Sequence, residues 1–221
     1  MPITKKDTQY GIESWFLVRR CCLLPLLPES LLPYTKFGLG MIVIGIWNHS
    51  NVYIDNKSYG PTLEAWVGVG LEYDKKLCGL VHTIYDSNPS YIEPVNKVFK
   101  FSKVFADMEW KEHGGRHELE VHKAGKLILR VAGSSTIFPA SVPCARPRPA
   151  WLIKDGENYI NTMKMPMQKT KLAFTSIHIP GNSPMRKVAE SLRPIVKFSV
   201  FYQNASIEMP LPSKIQLQTM K

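Results

Sequence analysis

The sequence predicts a mainly β protein with a few short helices (α+β), built on a curved antiparallel sheet that closes into a barrel or cone. Three observations predict it. Strand-length segments rich in β-branched and aromatic residues recur along the 221 residues, turn signals separate them, and helix signals are few. Closure is expected because so many strands would otherwise expose unpaired edges. A chain of this length can bury one sizeable core, so residues 1–221 are read as a single domain.

In chain order, the first apolar stretch is Trp15 to Leu32. Arg19, Arg20, Pro25, Pro28 and Glu29 interrupt it, which rules against a membrane span and leaves a short helical piece over Leu23 to Leu32. Leu39 to Trp47 is a nearly continuous apolar run and reads as a buried strand. Strands are expected next at Thr62 to Tyr73, Cys78 to Tyr85, Lys97 to Trp110, His117 to His122 and Lys126 to Ala132. Three more are expected at Trp151 to Asn158, Lys171 to Ile179 and Lys197 to Glu208. Turn signals fall at Tyr59-Gly60-Pro61, Asp86-Ser87-Asn88-Pro89 and His113-Gly114-Gly115. Glu118 to Arg130 reads as a hairpin turning at Lys123-Ala124-Gly125-Lys126. Pro184 to Leu192, preceded by Asn182-Ser183 and followed by Pro194, reads as a capped helix. Pro139 to Pro149 is too proline-rich for regular structure and reads as a crossing loop or a lid.

Composition excludes several classes. Hydrophobic content of 44% with 21% charged residues is that of an ordinary globular protein. The four cysteines show neither a disulfide framework nor C-x-x-C spacing, which fits reduced thiols in a cytoplasmic protein. The N-terminus lacks the apolar core of a signal peptide. The net charge of +10 is scattered rather than gathered into a stripe interleaved with aromatics, which argues against nucleic acid as a partner. No metal spacing and no nucleotide-binding glycine pattern is present, so no cofactor is expected. Whether copies of the chain form a homo-oligomer is not legible.

Two residues carry candidate chemistry. A strand-period reading of Lys97 to Trp110 puts Phe99, Phe101, Lys103 and Phe105 on one face. An ammonium among phenyl rings is poorly solvated, and burial lowers a lysine pKa toward the range where the neutral amine attacks a ketone. The other reading of Lys103 is a rim lysine that snorkels to water. Glu64 interrupts an otherwise apolar strand and shares its face with Thr62 and Trp66. Buried beside that indole, its carboxyl would suit acid or base work; at an edge it would simply face solvent. Trp47, Trp66, Tyr85, Phe99 and Phe101 are the residues expected to line an apolar substrate cavity.

The order of these motifs resembles the acetoacetate decarboxylase family. A proline-rich L-L-P-E-S-L-L-P stretch precedes an apolar strand, a strand carrying Glu64, a further strand, and a segment ending F-S-K at Lys103. Leu27 to about Ser135 carries the resemblance. It implies a cone-like β-barrel, a Schiff-base lysine at Lys103 and an acid/base or substrate-positioning glutamate at Glu64. The family's reactive lysine exemplifies an amine activated by desolvation or a neighbouring cation. Departures are evident: Ser102 replaces the family's proline and Val104 its second lysine. The substrate-carboxylate arginine falls at Gly11 or Ile12, leaving Arg19 and Arg20 as the available substitutes. The expectation is a biosynthetic lyase or acid/base-assisted cyclase of secondary metabolism. Its substrate would be an apolar carbonyl compound of polyketide or terpenoid type. A true β-keto-acid decarboxylase and a non-catalytic ligand-binding barrel are the alternatives.

Overall fold

The computed structural model describes residues 3–73, 76–139, 148–165 and 170–215. Its strands are β1 (Ile3–Arg19), β2 (Leu39–Ile54), β3 (Lys57–Ser58), β4 (Thr62–Tyr73), β5 (Lys76–Asp86), β6 (Lys103–Phe105) and β7 (Asp107–His113). They continue with β8 (Arg116–Lys123), β9 (Lys126–Pro139), β10 (Arg148–Lys154), β11 (Glu157–Met163), β12 (Thr170–His178), β13 (Val196–Pro210) and β14 (Ser213–Ile215). The helices are α1 (Arg20–Leu23), α2 (Pro89–Phe99) and α3 (Arg186–Ser191), with a 3₁₀ turn at Leu24–Leu26.

All the strands join one sheet in the order β14-β11-β10-β5-β4-β2-β1-β13-β12-β9-β8-β7, with β3 beside β2 and β6 beside β5. Pairing is antiparallel except where β10 and β6 run parallel to β5. The expected closure into a barrel or cone does not occur: the path ends at β14 on one side and β7 on the other. Both edges are protected by other means. β14 has only three residues, and β7 presents exposed Asp107, Glu109, Lys111, Glu112 and His113, charges that oppose edge-to-edge pairing.

The strand expected over Lys97 to Trp110 is instead the end of α2, a short strand and a bend into β7. Asn88 caps α2, its side chain accepting from the Tyr91 amide at 3.3 Å, and Pro89 takes the first turn, where its missing N–H costs nothing. Tyr91, Val95 and Phe99 recur at helical spacing and form the buried face, and Lys100 in the left-handed region ends the helix. The strand expected over Trp151 to Asn158 is a hairpin turning at Asp155-Gly156, both at positive φ. The hairpin read at Lys123 to Lys126 forms as β8 and β9, with Ala124 and Gly125 at positive φ. Most of the Pro139 to Pro149 segment, residues 140–147, lies outside the described residues.

Apolar side chains cover both faces of the sheet. Successive strand residues fall into different cores: Ile46, Ala65 and Tyr85 into one, their neighbours Trp47, Trp66 and Ile84 into the other. The second core lies under α2 and holds the candidate site.

Candidate functional site

Glu64 on β4 and Asp86 on β5 stand directly opposite each other in an antiparallel pair, so both carboxylates project from the same face. Like charges so placed repel, and a cation between them is the natural remedy. Lys103, the first residue of β6, supplies it. Its ammonium donates to Asp86 Oδ2 at 2.6 Å and also to Glu64 Oε2. The Lys103 side chain is completely shielded from solvent, as is that of Asp86.

Helix α2 sets this lysine in place. Asn96 Nδ2 donates to the Lys103 carbonyl and Asn96 Oδ1 accepts from its amide, both at 2.9 Å. The ring of Tyr91 lies 4.9 Å from Lys103 Nζ, and its hydroxyl bonds Thr4 Oγ1 at 3.0 Å. Asp86 is fixed in turn: its Oδ1 accepts from Thr62 Oγ1 at 2.5 Å and from the Asn88 amide at 3.0 Å.

β1 brings a second lysine. Alternation along Ile3 to Thr8 buries Thr4, Lys6 and Thr8. Lys6 Nζ donates to Glu64 Oε2 at 2.7 Å, the same oxygen that Lys103 holds. Thr8 Oγ1 lies 2.8 Å from Nδ1 of the buried His49. His49 Nε2 has no hydrogen-bond partner among the described residues.

The electrostatics separate the two lysines. Burial opposes the charge on Lys103, but Asp86 and Glu64 outweigh it and hold the ammonium well above the ordinary lysine value. The lowered pKa expected for a lysine among phenyl rings is therefore reversed, because two carboxylates surround it. Burial also opposes ionisation of Glu64, yet Lys103 and Lys6 hold its carboxyl far below the usual range. Lys6 is pushed down to about 8, first by burial and also by the positive Lys103, with Glu64 compensating only in part. His49 is held neutral, its pKa well below normal, by burial and by Lys6. Burial raises the Tyr91 phenol to about 12.

The expected site residues distribute unevenly. Glu64 and Lys103 are in contact. Trp47, Phe99 and Phe101 are buried in the apolar core beside them, and half-buried Trp66 packs against it. Tyr85 points to the opposite core. Arg19 and Arg20 are exposed at the far end of β1 from Lys6, on the order of 40 Å of extended strand away. Asp86, Lys6, His49 and Tyr91 were not anticipated. In the sequence Asp86 belongs to a turn signal, although Asn-Pro after an acidic residue also starts a helix. Lys6 sits in a polar stretch with no apolar alternation to betray a strand.

Among the described residues no group of His, Cys, Asp or Glu side chains is arranged to hold a metal ion, and no helix is long and apolar enough to cross a membrane.

No protein-family model and no curated protein sequence matches the chain. Solved structures do. Acetoacetate decarboxylase from Legionella pneumophila superposes with a TM-score of 0.78 at 10% identity, covering 96% of this chain and 87% of its own. Another acetoacetate decarboxylase structure gives 0.77 at 12% identity, covering 96% and 88%. The enduracididine biosynthesis enzyme MppR, in complex with pyruvate, gives 0.71 at 9% identity, covering 98% and 91%. At such identities the likeness establishes a shared fold.

Proposed function

We propose that this chain is a single-domain enzyme acting on an apolar carbonyl compound of polyketide or terpenoid type, by lyase chemistry or acid/base-assisted cyclisation. The observation that carries the reading is the buried contact of Lys103 with Glu64 and Asp86. Buried ion pairs stabilise a fold poorly compared with apolar side chains of similar volume, and strongly perturbed clusters gather at functional sites. The shared fold with acetoacetate decarboxylase and MppR supports the same conclusion.

In this reading the Lys103 ammonium donates to the substrate carbonyl oxygen. The developing negative charge of an enolate or alkoxide then forms beside a fixed cation in a water-poor site. Glu64, ionised at neutral pH, takes the proton from the carbon next to the carbonyl and returns it after bond cleavage or ring closure. Trp47, Phe99 and Phe101 favour an apolar substrate. The decarboxylase alternative that used Arg19 or Arg20 to clamp a carboxylate loses support, because both are remote from Lys103. The test is deuterium exchange at the α-carbons of a panel of methyl ketones, 2-heptanone first, followed by proton NMR in D₂O. Exchange above the buffer rate is expected, falling about a hundredfold or more in Glu64→Gln. No exchange above buffer across the panel overturns the reading.

A further inference from the structure

We propose that Lys6, rather than Lys103, is the amine that condenses with the carbonyl substrate, and that Lys103 is the fixed cation that keeps Lys6 reactive. The inference rests on the proposed function and adds a covalent step to it.

Geometry separates the two amines in three ways. Lys103 has two carboxylate partners, Glu64 and Asp86, whereas Lys6 has Glu64 alone among the described residues. Both ammonium groups bond the same oxygen, Glu64 Oε2, so two positive charges share one acceptor and the less supported of them gives up its proton more readily. Exposure points the same way. The Lys103 and Asp86 side chains are wholly shielded, while Lys6 and Glu64 retain 5% and 7% exposure, so an arriving molecule meets Lys6 and Glu64 first.

The groups facing Lys6 come from every neighbouring element. Glu64 of β4 and Asp86 of β5 favour its charge, and Lys103 of β6 opposes it. His49 of β2 is neutral, while the positions of β2 and β13 directly beside Lys6 in the sheet are the uncharged Val52 and Ile207. With its pKa near 8, about one Lys6 side chain in ten is neutral at pH 7, roughly three hundred times the fraction of an ordinary lysine.

The step balances without an external oxidant or reductant. The Nζ lone pair attacks the carbonyl carbon, a C–N bond forms, and the π pair moves to oxygen. Glu64 carries a proton from nitrogen to that oxygen, giving a neutral carbinolamine. The C–O bond then breaks as the nitrogen lone pair completes the iminium, and the departing hydroxide, hydrogen-bonded by the Lys103 ammonium, takes a proton from solvent and leaves as water. The iminium accepts the electron pair released by α-deprotonation or C–C cleavage. His49 Nε2, buried beside Lys6 and without a partner among the described residues, is a ready hydrogen-bonding group for the substrate oxygen.

The test is borohydride reduction in the presence of 2-heptanone, with the modified lysine located by peptide mass analysis and α-exchange measured on the same sample. The expected result is a reduced adduct on Lys6, formed with a midpoint near pH 8 and absent in Lys6→Met. Lys103→Arg should keep that midpoint, because the cation remains. Lys103→Met should raise it by at least one pH unit. Should Lys103→Met fail to fold, Lys103→Arg still decides where the adduct forms. An adduct on Lys103 with none on Lys6 overturns the inference and leaves the proposed function standing. No adduct while α-exchange proceeds has the same effect. Neither adduct nor exchange overturns both.

Discussion

Replacing Lys6 by Met would reveal the strain in the buried cluster without any substrate. In the folded chain Lys6 titrates near 8; unfolded, it returns to about 10.5. Between those values the unfolded state binds more protons than the folded state, so stability rises with pH across that window. Below about pH 8 both states carry the proton and the slope vanishes; above 10.5 neither does. From pH 7 to pH 10 the contribution of Lys6 should therefore improve by about 2 kcal/mol, and by about 3 kcal/mol over the whole window. Lys103 adds no slope there, because its folded value lies above that of an ordinary lysine and its stabilisation is lost only at higher pH. The assay is urea unfolding of the wild type and Lys6→Met at several pH values, taking the difference in unfolding free energy so that common titrations cancel. The wild type should gain on the variant by about 2 kcal/mol between pH 7 and 10. A difference that does not change with pH would mean that Lys6 is ordinarily solvated, and would refute the reasoning about burial and about Lys103.

Asp86→Asn leaves Lys103 with a single carboxylate and should cost about 3–5 kcal/mol in urea unfolding, with Lys103→Met in the same chain recovering much of the loss. Asn88→Ala removes the cap of α2 and two donations to the Tyr59 and Pro61 carbonyls, and should destabilise by about 1–2 kcal/mol with faster amide exchange along the helix. Gly11→Ala drives a methyl group into the Trp47 ring, so the indole must move. A loss of about 1–3 kcal/mol is expected, with a changed near-ultraviolet tryptophan signal.

Glu64 and Lys103 were legible because each is a charge set into an apolar surrounding, where a polar residue stands out. The strand over Thr62 to Tyr73 was legible for the same reason and has the expected ends. Lys6 was hidden by the opposite circumstance: the positions β1 buries at its start are Thr4, Lys6 and Thr8, so the usual pattern of buried apolar and exposed polar residues is absent. The segment before Lys103 misled through ambiguity. Phe99 and Phe101 alternate like a strand, while Tyr91, Val95 and Phe99 recur like a helix, and the Asn88-Pro89 start signal decided between them. Closure of the sheet was not legible, because it depends on strand tilt and stagger rather than on which residues favour strands.

The pairing of β1 has a consequence for how the protein is made. β1 is made before either of its neighbours and pairs on one side with β2, but its other neighbour is β13, which begins at Val196. At about 5–20 residues per second, roughly 10–35 s of synthesis separates the two. Throughout that interval one edge of β1, including the apolar stretch from Trp15 to Val18, has no native partner. The nascent chain is thus exposed to capture by another copy along that apolar stretch, and a lower expression level or chaperone co-expression should raise the yield of folded protein. The buried cluster inherits the same history, since Lys6 rides on a strand whose place in the sheet is completed only once β13 has been made.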